Sequence, residues 1–262
     1  MRGTPLQKSD LELAVSAAEA AGKILLNHWD NRQNLAISNK RPGDFVSQAD
    51  LASEEYLKDV LLSANPQDGW LGEETGSSEG AARRWIVDPL DGTTNFLRGL
   101  PHWAVSIGLE VQGRLTVGVV HDPVNQETFS AELGKGAFLN GSEISVSRNS
   151  DISSALFGTG IPFGTMSNID EHAAQIAEIM PHCAGVRRIG AAALDLAYVA
   201  AGRFDGFWER NLKPWDIAAG LVLVREAGGT VTGWDIDVAS EEMGDVIAAT
   251  PELFETFFEI LH

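Results

Sequence analysis

Trp85-Ile86-Val87-Asp88-Pro89-Leu90-Asp91-Gly92-Thr93-Thr94-Asn95-Phe96 packs more chemistry into twelve positions than any other part of the chain. An apolar, strand-like run stops at Asp88. Pro89 fixes a turn, and Asp91 follows one turn later. Two carboxylates so close together repel each other unless a cation lies between them. Hard cations such as magnesium prefer oxygen donors of this kind, and Leu90 could add its backbone carbonyl. Gly92-Thr93-Thr94 then reads as a helix start, whose free amides face an incoming anion. The plain alternative is a strand, an Asp-Gly turn and a capped helix. The convergence of four features on one short run favours a cation and phosphate site.

Upstream, Gly72-Glu73-Glu74 precedes this run by a short loop and would pass, alone, for an acidic surface loop. Ser9-Asp10 marks a helix start, with Leu11, Ala14, Val15, Ala18, Ala21, Leu25 and His28 at helical spacing behind it. Residues 35–45 are polar, with Pro42-Gly43 as a turn. Ser47-Gln48-Ala49-Asp50 resembles a capping box and predicts a second helix to about Leu62.

Downstream, strands are predicted over 105–111, 115–121 and 127–131, with Gln112-Gly113-Arg114 as a hairpin turn. Gly134, Gly136 and Asn140-Gly141 mark further turns. This spacing suggests an antiparallel sheet. Beyond Asp151 the pattern alternates. Strands are expected over 155–158, 185–189, 204–209 and 246–249. Helices are expected over 169–180, 191–201, 215–227 and from Pro251 onward. The fold class is α+β, layers of helix and sheet in one unit (residues 1–262) with two lobes that meet near Ser150. Asp216, in Pro214-Trp215-Asp216, opens a helix either as its N-cap or with its carboxylate turned toward a metal. Glu209, at the end of an apolar strand, is equally open between structure and site.

The chain has 262 residues and a formal net charge of -18. Such acidity argues against nucleic-acid or anionic-membrane binding, which need a basic face. It serves solubility, or it reflects carboxylates gathered around cations. Cys183 is the only cysteine, which excludes an intramolecular disulfide and a thiolate zinc cluster. The six histidines show no metal spacing, and His102 and His121 read as polar packing groups. Neither a signal peptide nor a membrane-length apolar run is visible, so a cytoplasmic location is expected.

The run Asp88-Pro-Leu-Asp-Gly-Thr-Thr-Asn95 resembles the first signature of the inositol monophosphatase family, part of the lithium-sensitive, magnesium-dependent phosphatases. Lys213-Pro-Trp-Asp-Ile-Ala-Ala-Gly220, with Glu226-Ala-Gly-Gly229, resembles the second. Gly118-Val-Val120, Gly134 to Gly141 and Gly185 to Ala193 are similar as well, so the likeness spans nearly the whole chain. It implies a layered αβαβα sandwich. It also implies a first metal held by Glu73, Asp88 and the Leu90 carbonyl, and a second held by Asp88, Asp91 and Asp216. Thr93 and Glu73 would orient the attacking water, with Asp50 hydrogen-bonded to Thr93. Gly92 and Thr93 amides, alongside Asp91 and Asp216, would face the phosphate. Gly190, Ala191, Ala192 and Glu209 would line the alcohol side. Lys40 resembles the family's lysine of the metal loop, although its spacing to Asp50 is one residue shorter. The segment 233–243 is shorter and more acidic than the family pattern. The resemblance implies a dimer and a small phosphorylated substrate, most directly inositol 1-phosphate. Histidinol phosphate, a nucleotide 3′-phosphate or fructose 1,6-bisphosphate are alternatives, as is a regulatory protein that keeps the fold.

Overall fold

Ser9 starts the first helix with a reciprocal cap. Its hydroxyl accepts the Glu12 amide, and the Glu12 carboxylate accepts the Ser9 amide. The computed structural model describes residues 8–35, 37–41, 44–80, 82–161, 169–235 and 244–262, with the backbone alone at 34, 37–41 and 44–46. The expected Pro42-Gly43 turn, the Lys40 side chain and residues 236–243 therefore lie outside the description.

Helix α1 (Asp10–Asp30) buries Ala14, Ala17, Ala18, Ala21 and Leu25. Helix α2 (Gln48–Ala64) opens on the second capping box, Ser47 with Asp50. The stretch expected as a polar loop between them forms an antiparallel pair, β1 (Ile37–Arg41) and β2 (Asp44–Ser47). Among the described residues the pair forms a two-stranded sheet of its own, and strands of five and four residues give few alternations by which to recognise them.

Eight strands make the larger sheet: β3 (Gly69–Gly72), β4 (Gly76–Ser78), β5 (Arg83–Asp91), β6 (Ala104–Val111), β7 (Arg114–Asp122), β8 (Glu127–Glu132), β9 (Ala137–Leu139) and β10 (Ser142–Ile144). Their order is β10-β9-β8-β7-β6-β5-β3-β4. All neighbours are antiparallel except β3 and β5. The β6–β7 hairpin turns on Gln112 and Gly113, with φ of 53° and 76°. Two successive positive φ values give the turn that matches strand twist.

The expected strand over 84–88 does not stop at Asp88. It runs on to Asp91, but its register against β6 shifts between Asp88 and Asp91. Pro89 has no amide to give to the ladder, so the strand bulges there. The bulge re-aims both acids while leaving them on a sheet strand. The short helix α3 (Thr93–Arg98) follows immediately. Phe96 anchors it against Trp29 and Trp103, at ring separations of 5.3 and 5.0 Å.

A second sheet contains β11 (Leu156–Thr159), β12 (Gly185–Arg187), β13 (Gly206–Glu209), β14 (Thr230–Thr232) and β15 (Val246–Ala249), in the order β12-β11-β13-β15-β14. Helices α4 (Ile169–Ile179) and α7 (Pro251–Leu261) cover its outer face, around Phe157, Trp208 and Phe257. Helices α5 (Ala192–Ala200) and α6 (Pro214–Glu226) lie between the two sheets. With α1 and α2 on the far side of the larger sheet, the layers are αβαβα. Helix α5 is buried nearly all round, as its place in the middle requires. Glycines let α6 come close to the larger sheet: a Cβ at Gly118 would lie 2.4 Å from the Ala219 carbonyl oxygen.

Candidate active site

The bulge in β5 sets the first two acids. Asp88 is almost fully buried, and its Oδ1 accepts the Leu90 amide at 2.9 Å across Pro89. Asp91 closes the strand, and its Oδ2 accepts the Ala193 amide at 2.8 Å in the first turn of α5. Gly92 follows with φ of 90°, and a Cβ there would press on the His102 carbonyl and Ala191. Conformation and space both call for glycine at this step.

Asp216 was open between an N-cap and a site residue. Helix α6 starts at Pro214, one residue earlier than expected, so Asp216 is its third residue and Lys213 occupies the cap position. One Asp216 oxygen accepts the Lys213 amide at 2.6 Å. Its helix-capping duty therefore fixes its direction. Glu73 stands in the turn after β3, its amide donated to the Val87 carbonyl of β5.

Thr93 joins two elements. Its Oγ1 lies 3.1 Å from Asp50 Oδ1 and 3.1 Å from the Leu90 carbonyl oxygen. Asp50 is fully buried in the first turn of α2, and its other oxygen accepts the Ser47 amide and hydroxyl. Burial nonetheless raises its pKa.

The charges identify these acids as one set. Burial first, then Glu73, Asp91 and Asp216, push the Asp88 carboxyl well above the usual range. Burial first, together with neighbouring acids that include Glu73, raises Asp91 to about 7 and Asp216 to about 8, against the Ala193 and Lys213 amides that they accept. Among the described residues, no three of these acids are drawn close enough to grip an ion as they stand. Charge repulsion reaches farther than coordination does, so the acids sense one another without meeting at a single point. Four carboxylates and the Leu90 carbonyl are an all-oxygen donor set, which fits a hard divalent cation.

Glu209 ends β13 and is buried, 7% exposed, and its carboxylate lies against Gly160, where a Cβ would come within 1.9 Å of Oε2. Burial and then Asp216, Asp195 and Asp91 raise its pKa, against Arg188. The neighbouring Arg210 pairs with Glu171 at 2.8 Å. Gly190, Ala191 and Ala192 lead into α5 beside Gly92. Apart from Lys40, whose side chain lies outside the described residues, the residues predicted for the site are thus gathered in one region, where the larger sheet, α3 and the middle helices meet.

Several residues with a part in this arrangement were not read from the sequence. The Asn95 amide donates to the His102 and Ile189 carbonyls, both at 2.9 Å, and so ties α3 to the loop before α5. Asp195 and His102 face each other at 3.5 Å in the interior, and burial raises Asp195 to about 6. On α2, Ser53 and Glu54 reach the β5 bulge and the Glu73 turn. Only the spacing of 50, 53 and 54 along one helix face could have signalled this last group.

The sequence profile described as the inositol monophosphatase family matches residues 6–262. The chain belongs to the inositol monophosphatase family. It is 45% identical over 253 residues to inositol-1-monophosphatase of Rhizobium meliloti (strain 1021), covering 96% of this chain and 95% of that protein. It is 43% identical over 251 residues to a protein named Nus factor SuhB of Pseudomonas aeruginosa, covering 94% and 93%. The crystal structure of extragenic suppressor protein suhB from Bartonella henselae superposes with a TM-score of 0.92 at 43% identity, covering 95% of this chain and 96% of that one. Membership of this family carries with it the layered fold described above.

Proposed function

We propose that this protein hydrolyses inositol 1-phosphate to inositol and phosphate, with magnesium held by Glu73, Asp88, the Leu90 carbonyl, Asp91 and Asp216. The family makes the chain a phosphoric monoester hydrolase. The observation that carries the metal assignment is the crowding of negative charge at Asp88, which Glu73, Asp91 and Asp216 all raise, and at Asp216, which Asp91 and Glu73 raise, acids that a cation can hold charged together. Magnesium, when bound, supplies a Lewis acid that activates water and stabilises the leaving alkoxide.

The protein groups divide the remaining work. The Thr93 hydroxyl has one proton, and both Asp50 and the Leu90 carbonyl stand ready to accept it. Its lone pairs are then turned outward to accept a hydrogen from the attacking water, which Glu73 helps to orient. The Gly92 and Thr93 amides receive phosphate oxygens, since the first amides of a helix have no partner within it. Gly190, Ala191, Ala192 and Glu209 take the alcohol, with Glu209 accepting hydroxyl hydrogens. Phosphoryl transfer depends mainly on such positioning and charge compensation.

A purified-protein panel tests this reading. Phosphate release in magnesium should give inositol 1-phosphate a higher kcat/KM than histidinol phosphate or fructose 1,6-bisphosphate. Excess chelator should stop turnover, and millimolar lithium should inhibit it. Full turnover in chelator would overturn the metal assignment, and preference for another phosphate would overturn the substrate. Among the described residues no helix is long and apolar enough to cross a membrane. A cytoplasmic homodimer without direct nucleic-acid contact suits the charge of -18. The name of the Pseudomonas aeruginosa relative supports a second, regulatory reading, in which the fold serves assembly with other proteins.

A further inference from the structure

Glu54 is a fully buried carboxylate that the catalytic scheme above does not use. Its Oε2 accepts the Glu74 amide at 2.8 Å. Its Oε1 accepts the Thr75 amide at 2.7 Å and the Thr75 hydroxyl at 2.5 Å. The Trp70 indole donates to the same Thr75 oxygen at 3.0 Å, which holds the turn from a further side. Glu73 stands immediately before the two captured amides, and its own amide is donated to the Val87 carbonyl of β5 at 3.3 Å. Its backbone is therefore gripped on one side by the sheet and on the other by α2. Gly72 completes the fit, because a Cβ there would lie 2.3 Å from Glu54 Oε1.

The same helix face repeats the arrangement. Asp50 holds Thr93, and Ser53 donates its hydroxyl to the Pro89 carbonyl at 3.0 Å, inside the β5 bulge between Asp88 and Asp91. Positions 50, 53 and 54 lie on one face of α2 at i, i+3 and i+4. Asp50 and Ser53 reach the run from Pro89 to Thr93 and Glu54 reaches the Glu74-Thr75 turn, two segments that are separate in the chain. A carboxylate is costly to bury without donors, and hydrogen bonds to it are shorter and stronger than those to a neutral acceptor. Glu54 has three such donors, all from the turn that presents Glu73.

We propose that Glu54 is a positioning residue for metal binding: by receiving the Glu74 and Thr75 amides it sets where Glu73 presents its carboxylate, and with Asp50 and Ser53 it makes α2 the template on which the site is assembled. The proposal rests on the assignment of Glu73 as a magnesium ligand.

The test is magnesium titration by calorimetry of the full-length protein without substrate, with thermal unfolding in chelator alongside. Glu54→Gln keeps the shape but turns an amide NH2 toward groups that are themselves donors. Partners that orient metal ligands typically contribute about 10–100-fold in affinity, and a loss of that size is expected for Glu54→Gln. At saturating magnesium, KM for inositol 1-phosphate should stay at the wild-type value while kcat falls. Thr75→Val removes one of the three donors and spares the carboxylate. It should weaken magnesium binding in the same direction but less, and it keeps the test open where Glu54→Gln does not fold. Glu73→Gln is the reference. Wild-type magnesium affinity in Glu73→Gln would overturn both the ligand assignment and the proposal. Weakened binding in Glu73→Gln, with lowered stability but wild-type affinity in Glu54→Gln or Thr75→Val, would overturn the proposal alone.

Discussion

Asp91 has two oxygens with different employment. Oδ2 is occupied by the Ala193 amide, which leaves Oδ1 as the atom to face a cation. Asparagine can still accept that amide but carries no charge. Asp91→Asn should therefore fold, melt at a higher temperature than wild type in chelator because repulsion is relieved, and lose about two to three orders of magnitude in kcat. Near wild-type kcat in the purified variant would reduce Asp91 to a turn residue. Glu209 separates alcohol from phosphate recognition. Glu209→Gln should raise KM for inositol 1-phosphate by about tenfold, the cost of leaving a hydroxyl contact unmade, and should leave p-nitrophenyl phosphate nearly untouched. Equal loss on both substrates would place Glu209 with the metal acids. Asp91 stood out in sequence as a second acid one turn beyond the acid that ends an apolar run, and Glu209 as an acid at the end of an apolar strand, open there between structure and site. Glu54 did not. An acid in the middle of a predicted amphipathic helix looks like a solvated face, and its partners, Glu74 and Thr75, lie some 20 positions further along the chain.

At the scale of elements, the helices were read almost to the residue, because most of them announce themselves with a cap or a glycine stop. The paired motifs Ser9 with Glu12 and Ser47 with Asp50 are the clearest cases. The strands missed were β1, β2, β3, β4, β9, β10 and β14, all five residues or shorter. Segments so short give too few alternations to register as strands, and what makes them strands is the neighbour they pair with. The β5 bulge was half visible. Pro89 announced a break, but only the pairing with β6 shows that the strand resumes at Asp91. Helix α6 depends on close approach in the same way. Gly118→Ala should push its Cβ into the Ala219 carbonyl, 2.4 Å away, and lift the helix from the sheet. Overpacking of this kind costs about 1–3 kcal/mol. Since Asp216 rides on the lifted helix, kcat should fall together with Tm. A variant that loses stability but keeps wild-type kcat would show that α6 can shift without moving its acid.

For the whole molecule, the buried acids make stability depend on pH in a direction opposite to the usual carboxylate. Asp91 and Asp216 are raised to about 7 and about 8, so the folded, metal-free chain binds more protons than the unfolded one up to those values. Stability is present below them and is lost as pH rises through them. His121 acts in the contrary sense, because burial lowers it to about 4, but above about pH 6.5 it is neutral in both states. Tm in chelator should therefore fall between about pH 6.5 and 8, and saturating magnesium should abolish the slope. A Tm that rises over this window in chelator would contradict the shared charge. We propose that the chain unfolds as a single unit with two lobes, since α5 and α6 share one apolar core with strands of both sheets. That middle layer also governs when the protein first becomes an enzyme. A growing polypeptide already contains Glu73, Asp88 and Asp91 when little more than a third of it is built, yet Ala193, Glu209 and Asp216 arrive only with the last quarter or so of synthesis. A fragment that stops before Asp216 carries the early acids without the last of them, and it should release no phosphate when assayed beside the full chain.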